Sequence, residues 1–441
     1  MPIIYREDIR KKILNDLSTL NLKSSHSVYF NKLDESSAKI QGNTIRSIFH
    51  PYVLTNEEYV WIKNKSERLW NILEKTARLL VTDKKVAEFF DFPKELLGLL
   101  RITPGYDTNI PITRFDAFYN PKGSIYFCEF NTDGTSGMNE TNTMEECFLS
   151  TKVGRELRET YSLEQFELRR SLLATLVESY ESFNGTKMPT KKPNIAIVDF
   201  MDKATIAEFE ALRDVFIAEG YNTIIADPRD LTYHEDALWM EDFKIDLIYR
   251  RAVTTELLER FDAVQAFIEA YKNKAFCMVG SFRSEAAHSK LVFTFLTSST
   301  AEEYFSKEEI TFIRNHLPFT IRLTSSNKLL LNQVLKEKDN HIIKPHNSYG
   351  SQGLYMGKDY STSQWQQLIS DNLDKNYIAQ ELIAIPTEDF LASPSKVESL
   401  KVNLSPFLYG GKLKGFYTRI SNLEVITTSR GGALIPTFLA R

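Results

Sequence analysis

The sequence predicts a mixed α/β protein in which a parallel, doubly wound unit is followed by an antiparallel α+β region. Two patterns support this prediction. Between residues 195 and 251, apolar strands alternate with a helical stretch, as is typical of βαβ units. From about residue 318, short strands recur with glycine-containing turns and only short helices between them. Residues 1 to about 100 precede both regions and carry mainly helical spacing.

The composition fits a globular protein. The chain has 441 residues, 42% of them hydrophobic, which is enough for two or three packed subdomains. The net charge of -4 is spread along the chain without a basic, aromatic stripe, so nucleic acid is not an expected partner. No window approaches about 18 consecutive apolar residues, so we expect a soluble, cytoplasmic protein without a membrane partner. The 3 cysteines suggest neither disulfides nor a zinc site.

A β-hairpin is predicted between residues 112 and 131. Aromatic and β-branched residues alternate on both sides of Asn120-Pro121-Lys122-Gly123, which has strong turn chemistry. A helical stretch near 155–183 follows, and Pro189 and Pro193 then mark a linker into a new domain.

The βαβ unit begins with the apolar run IAIVDF at 195–200. We expect Asp202 to cap the following helix, whose apolar residues at 206, 209, 212 and 216 have helical spacing, and Gly220 to end it. The strands NTIIAD and IDLIYRR extend a small parallel sheet. The unit has no GxGxxG loop, so a dehydrogenase is the weakest of the functional alternatives.

The hairpin carries a possible metal site. A two- or four-residue loop centred on Pro121-Lys122 would set Arg114 opposite Glu129 and Asp116 opposite Phe127, with Asp116, Glu129 and Asn131 on one face. Two carboxylates and an amide oxygen are hard ligands suited to Mg²⁺. Arg114 on the same face would temper the repulsion between the carboxylates. Such polar residues also occur on merely solvated strand faces.

Three later segments contain candidate nucleotide-binding residues. Lys344 ends an apolar strand and precedes a loop with Gly350 and Gly353, whose backbone could close over phosphates. The strand YIAQELI ends at Gln380 and Glu381, where a purine could meet backbone groups. In the C-terminal region, Arg419 lies on a strand, and Arg430-Gly431-Gly432 forms a turn.

Together, these segments resemble the circularly permuted ATP-grasp proteins, including the synthetase domain of glutathionylspermidine synthase and its uncharacterised bacterial relatives. The resemblance covers roughly residues 100–441. Its most specific element is the RxD strand and following ExN, matched by Arg114, Asp116, Glu129 and Asn131. In ordinary ATP-grasp enzymes the lysine strand precedes ExN, whereas here Lys344 follows it, which indicates a circular permutation.

The resemblance also implies a division of the chain into four segments: a helical N-terminal segment at 1–100, a permuted ATP-grasp portion with the metal hairpin at 101–190, a pre-ATP-grasp α/β subdomain at 191–280 and a nucleotide-binding portion at 281–441. Residues 280–298 resemble the segment that carries the family's first nucleotide lysine, which would be Lys290. Lys328, which opens a predicted helix after Asn327, is a competing candidate.

By this resemblance, Asp116, Glu129 and Asn131 would hold one or two Mg²⁺ ions on ATP. The phosphates would contact Lys344 and either Lys290 or Lys328, under the loop of Gly350 and Gly353. Gln380 and Glu381 would lie beside the adenosine. Arg114 and Arg419 would stabilise the transferring centre. Independently of the resemblance, Arg250 and Arg251 end the strand IDLIYRR, where α/β sheets commonly bind ligands, so they are candidates for binding the substrate carboxylate. Equally, one of them would serve as a structural salt-bridge partner.

The implied activity is ATP-dependent ligation of a small-molecule or peptide carboxylate to an amine through an acyl phosphate. The chain lacks the amidase domain of glutathionylspermidine synthase, so the substrates do not carry over from that enzyme. A carboxylate kinase would use the same phosphoryl site with a different acceptor. A non-catalytic nucleotide-binding protein with this fold is a further alternative.

Overall fold

The structure, a computed structural model, describes residues 6–20, 22–185, 191–347, 353–427 and 431–441. Within them none of the helices combines the length and apolar character that a membrane crossing needs. The helices are α1 Arg6–Thr19, α2 Lys23–Glu35, α3 Asn56–Thr82, α4 Lys84–Phe90, α5 Lys94–Arg101, α6 Met138–Leu149, α7 Lys152–Tyr161, α8 Leu168–Asn184, α9 Ile206–Ala218, α10 Thr254–Glu259, α11 Gln265–Lys272, α12 Glu285–His288, α13 Leu291–Leu296, α14 Lys307–His316, α15 Lys328–Lys336 and α16 Thr362–Asn372.

The strands form several separate sheets. They are β1 Lys39–Ile40, β2 Asn43–Thr44, β3 Tyr52–Thr55, β4 Ile112–Asn120, β5 Ser124–Asn131, β6 Leu163–Glu164, β7 Ile195–Val198, β8 Thr223–Ala226, β9 Thr232–His234, β10 Ala237–Met240, β11 Phe243–Ile245, β12 Leu247–Arg250, β13 Cys277–Val279, β14 Thr320–Arg322, β15 His341–Pro345, β16 Tyr355–Met356, β17 Tyr377–Glu381, β18 Thr387–Ser393, β19 Lys396–Tyr409, β20 Lys412–Ser421, β21 Ala433–Ile435 and β22 Thr437–Ala440.

The largest sheet is antiparallel and joins segments that are distant in sequence. Its order is β21-β20-β19-β4-β5, with β18 added on β19. Arg114 on β4 is paired with Phe407 on β19, so the predicted hairpin lies beside the C-terminal strands. The sheet therefore brings the Asp116 region next to Arg419 on β20, across about 300 residues of chain.

The βαβ prediction is confirmed by a parallel sheet in the order β13-β12-β7-β8. Alternate residues of β7 point to opposite faces, as expected for a strand buried on both sides. Ile195 and Ile197 pack with Phe209 of α9, whereas Ala196 and Val198 pack with Phe267 of α11. Helices therefore cover both faces, as in a doubly wound unit.

The predicted cap of the helix after β7 is wrong. Helix α9 begins at Ile206, and its N-cap Thr205 makes no side-chain cap hydrogen bond. Asp202 instead binds Arg260 with both carboxylate oxygens, at 2.7 and 2.8 Å. The sequence alone could not reveal this contact with Arg260. The guanidinium group attracts the carboxylate more strongly than a helix end does. Gly220 does end the helix region, with a positive φ of 84°.

The sheet that holds Lys344 is antiparallel, in the order β14-β17-β15-β16. One face carries Ile321, Ile343 and Ala379 and packs under Trp365 of α16. The opposite face carries Lys344 and Gln380, because side chains alternate along β15 and β17. The strand pattern thus directs both predicted nucleotide residues away from the apolar core of this subdomain.

The N-terminal prediction is confirmed in its helical content but incomplete. Helices α1 to α5 account for most of the described residues up to 101, and α3 begins with a capping box formed by Thr55 and Glu58. However, β3 pairs in parallel with β22. The helical stretch predicted near 155–183 consists of two helices, α7 and α8, separated by β6.

Candidate active site

The β4–β5 hairpin turns over three residues rather than the predicted two or four. Asn120 is paired with Ser124, and the Asn120 carbonyl accepts a 2.9 Å hydrogen bond from Gly123. Gly123 adopts a positive φ of 107°, which glycine allows without steric cost. The Asn120 side chain also accepts from the Lys122 amide at 2.9 Å, so the turn residues fix the loop locally.

The predicted pairing of Arg114 with Glu129 and of Asp116 with Phe127 is also wrong. Asp116 is paired with Glu129, and Arg114 with Asn131, because Cys128 is an extra residue in a β-bulge. Without this bulge the three-residue turn would put Glu129 and Asn131 on the opposite face from Asp116. With the bulge, Asp116, Glu129 and Asn131 lie on one face, as predicted, although the strands pair in a different register from the predicted one.

Asp116 lies in a dense hydrogen-bond network. Its Oδ1 accepts from Asn131 Nδ2 at 3.2 Å and lies 3.2 Å from Ser405 Oγ, whose single hydrogen it shares with the Oδ1 of Asn403. Its Oδ2 pairs with the Arg419 guanidinium, while Arg114 Nε is more distant, 3.7 Å from Oδ1. Arg419 therefore offsets the Asp116 charge more directly than Arg114 does. Arg419 Nε and Arg114 Nε are both buried without a hydrogen-bond partner, so each retains a donor.

Two lysines converge on Glu129. Lys290 lies in the loop between α12 and α13, and its Nζ is 2.9 Å from Glu129 Oε1. The Lys290 backbone amide donates to the His346 carbonyl at 3.0 Å. Burial disfavours the Glu129 charge, but the ammonium groups of Lys290 and Lys344 outweigh it and lower the pKa of Glu129 to about 2. Glu129 is therefore ionised across the physiological range.

Lys344 is buried on the cleft face of β15. Burial lowers the pKa of its ammonium group to about 8, and the nearby Lys290 charge acts in the same direction, while Glu129 opposes the shift. A lysine with so low a pKa, among charged partners in a cleft, is a mark of a functional site. The structure thus brings Lys344 and Lys290 together at the hairpin.

Asp116, Glu129 and Lys344 line a cleft between the large antiparallel sheet and the Lys344 sheet. The cleft encloses about 730 Å³, open solvent at its mouth included. Its polar walls come from the hairpin, β15 and β17, and its far side is apolar, as in pockets that hold a flat ring. The apolar lining residues are Phe118, Ile342, Leu354, Met356, Leu382, Ile383, Ile385, Val425 and Ile426.

Gln380 and Glu381 both line this cleft, and their contact with adenosine stays a prediction. Glu381 Oε2 accepts a 3.3 Å hydrogen bond from the Phe319 amide. Gly353 has a positive φ of 67° and lies so close to Tyr377 and Pro345 that a Cβ atom would clash. Gly350 and Arg430 lie outside the described residues.

Lys328 is exposed at the first turn of α15, and neither it nor Lys290 is among the described residues that line the cleft, but Lys290 contacts a residue that does. Of the two candidates for the second nucleotide lysine, the geometry therefore favours Lys290, which contacts Glu129.

Arg250 and Arg251 make structural contacts. Arg250 is 1% exposed, pairs with Asp133 and donates to the Ala252 carbonyl at 2.6 Å. Arg251 binds Glu208 at 2.9 Å, and Glu208 in turn accepts backbone hydrogen bonds at the start of α6. Both arginines thus hold loops behind the site, which favours the salt-bridge alternative over substrate binding.

Sequence reasoning missed several polar residues of the cleft. Asn403 and Ser405 lie on β19, where Ser405 Oγ bonds Asn403 Oδ1 at 2.6 Å, and their only signal was two polar residues in an apolar strand. Glu424, in the loop after β20, pairs with Lys401 at 2.6 Å and with Lys358 at 3.0 Å. The pair with Lys358 links the loop after β20 to the segment that follows β16 of the Lys344 sheet, whereas Lys401 lies on β19 of the large sheet.

The residues present fit a magnesium ion. Asp116 and Glu129 face each other across the hairpin, and Asn131 donates its Nδ2 hydrogen to Asp116, which leaves its amide oxygen as a possible ligand. No cluster of three or more His, Cys, Asp or Glu side chains suited to a metal is found in the described part of the chain. A cation here would therefore depend on phosphate oxygens and water for its remaining ligands, as Mg²⁺ commonly does.

Comparison with known proteins identifies the family and the fold. The family model described as circularly permuted ATP-grasp type 2 matches residues 96–421, well over half of the chain. The fold is similar to that of a glutathione synthetase-like effector from Globodera pallida, with TM-score 0.57, 10% identity and 97% of each chain covered. A putative gamma-glutamylcysteine synthetase from Methylobacillus flagellatus covers 83% of this chain and 87% of its own, with 9% identity and TM-score 0.42. No curated protein matches the sequence significantly.

Proposed function

The chain belongs to the circularly permuted ATP-grasp type 2 family, and on this basis we propose that it is an ATP-dependent carboxylate–amine ligase acting through an acyl phosphate. The observation that carries the proposal is the pairing of Asp116 with Glu129 in a cleft that Lys344 also lines, together with the ion pair between Glu129 and Lys290. Opposite charges so concentrated in a largely buried site are suited to binding and transferring a phosphoryl group.

In the proposed complex, the adenosine lies at the apolar end near Gln380 and Glu381, and the triphosphate runs toward Lys344. Asp116, Glu129 and Asn131 would hold Mg²⁺, which would supply positive charge against the phosphate oxygens. Lys290 and Glu129 neutralise each other in the structure. A triphosphate would compete with Glu129 for Lys290. Lys290 would thus be available to bind the phosphates, while in the free protein its charge stays paired with Glu129.

The substrate carboxylate attacks the γ-phosphorus, the bond to the β-phosphate oxygen breaks, and ADP leaves. The resulting acyl phosphate is attacked at its carbonyl carbon by the amine, which releases phosphate and a proton and forms the amide. Arg419 and Arg114 each keep a buried Nε donor beside Asp116. These donors are suited to stabilising negative charge that develops during transfer.

The test is exchange of oxygen between the β,γ-bridge and the β-nonbridge positions of ¹⁸O-labelled ATP. We expect exchange when a substrate acid is present without the amine, because reversible acyl-phosphate formation frees the β-phosphate to rotate. Pools of amino acids and peptides serve as the acids, and ADP release with added amines then identifies the acceptor. Acid-independent ATP turnover, or binding of ATP without exchange in any pool, would contradict the ligase proposal.

A carboxylate kinase would also show this exchange, but it would release acyl phosphate rather than an amide. Trapping the product with hydroxylamine separates the two activities. The ligase predicts that an amine acceptor suppresses the hydroxamate.

A further inference from the structure

A row of three side chains crosses the sheet that forms one wall of the cleft. Gln380 on β17 is paired with Thr320 on β14 and with Ile342 on β15, so all three share one face. Gln380 is 2% exposed and lines the cleft at its apolar end. The apolar side chains around it offer a slot for a ring but no hydrogen bonds, so the choice of ring depends on a few polar atoms.

The hydrogen bonds of Thr320 fix the orientation of the Gln380 amide. Thr320 Oγ1 donates its single hydrogen to the Pro318 carbonyl at 2.9 Å. It therefore acts only as an acceptor toward Gln380, and it accepts from Gln380 Nε2 at 3.0 Å. If the amide were flipped, Gln380 Oε1 would face an oxygen with no hydrogen left to donate.

The opposite side of the amide is thereby fixed as an acceptor. Among the described residues, Gln380 Oε1 has no hydrogen-bond partner and is not one of the fully buried polar atoms that lack one, and Gln380 lines the cleft. With Nε2 held by Thr320, a glutamine that presents its carbonyl oxygen to a ligand favours a donor on that ligand.

We propose that Gln380 Oε1 selects a purine with a 6-amino group over one with a 6-oxo group, and that Thr320 is the positioning residue that makes it an acceptor. The inference rests on the proposed nucleotide site and adds to it the origin of base selectivity. An adenine amino group would complete the acceptor, whereas the carbonyl of hypoxanthine or guanine would place two acceptors together. A site built around one polar atom discriminates strongly against a ligand that cannot pair with it.

The test compares the binding of ATP and inosine triphosphate, which differ in the ring only at the 6-position and N1, with Mg²⁺ present and without acid or amine. We expect the wild type to bind ATP at least about tenfold more tightly, a difference of about 1.4 kcal/mol. In Thr320→Val the glutamine amide is free to rotate, and we expect the preference to fall at least about fivefold. Thr320→Ser retains the hydroxyl group and should retain the preference.

The preference ratio separates positioning from a general structural role. A packing defect in Thr320→Val would weaken both nucleotides equally and leave the ratio unchanged, and that outcome would overturn the positioning role of Thr320. Gln380→Leu serves as a second variant, because it should lose the preference whether or not Thr320 is also replaced. If neither nucleotide binds the wild type, the proposed function itself fails. If ATP is preferred but Thr320→Val keeps the full preference, only the role of Thr320 fails.

Discussion

Lys344 should take up a proton when the nucleotide binds. Burial lowers its pKa to about 8, so roughly half of the unliganded molecules carry a neutral Lys344 at about pH 8, and about a tenth do at pH 7. A phosphate beside this amine favours its charged form and raises the pKa again. Binding should therefore take up about half a proton at pH 8 and about a tenth at pH 7 from this group.

Calorimetry can measure this uptake directly. A non-hydrolysable ATP analogue with Mg²⁺ is titrated into the protein in buffers of different ionisation enthalpy, and the slope of binding enthalpy against ionisation enthalpy gives the protons taken up. Affinity should fall as the pH rises above 8, because the neutral lysine must first be protonated. In Lys344→Met the uptake should disappear. A wild type without uptake at pH 8, or an equal uptake in the variant, would refute the assignment of Lys344 to the phosphates.

Three further predictions concern the charges around this lysine. Glu129→Gln should lower the free energy of unfolding by about 1–2 kcal/mol at pH 6, after allowance for solvent screening. Because the folded pKa of Glu129 is lowered to about 2, that difference should shrink as the pH falls toward 2, and a pH-independent gap in urea unfolding would contradict the ion pair. Lys290→Met should weaken binding of the ATP analogue at least about tenfold and Lys328→Met less than about twofold in fluorescence titrations, whereas the reverse order would restore Lys328 as the nucleotide lysine. Asp133→Asn, which leaves the buried Arg250 unpaired, should cost about 3–5 kcal/mol in urea unfolding, and an unchanged stability would show that this pair is not structural.

The parts of the fold that depend on local pattern were predictable. The parallel unit at 195–251 follows from alternating strand and helix signals, and the hairpin follows from its turn residues. The register of the hairpin was not predictable, because a bulge at Cys128 has no local signature and depends on pairing with β4. The cap at Asp202 failed for a related reason, since its partner Arg260 is distant in sequence.

The candidate site divides in the same way. Asp116, Glu129 and Asn131 could be predicted because they match the RxD and ExN motifs on the two strands of the hairpin. The structure places all three on one face. Asn403 and Ser405 were missed because isolated polar residues in a strand reveal nothing until β19 lies beside β4. For Arg250 and Arg251, at the end of β12, the sequence instead suggested a role that the structure does not favour. Their position suggested ligand binding, but the buried partners Asp133 and Glu208 neutralise them.

The central claim is that Glu129 holds a magnesium–nucleotide complex, and thermal stabilisation by ATP with and without Mg²⁺ tests it most directly. At about 100 times its dissociation constant, ATP should add about 2.7 kcal/mol to the free energy of unfolding. We predict that this gain depends on Mg²⁺ and is largely lost in Glu129→Gln. Glu424→Gln is the matched control, because Glu424 also lines the cleft and pairs with two lysines but lies away from the hairpin. No stabilisation by ATP, or equal gains in Glu129→Gln and wild type, would contradict the account.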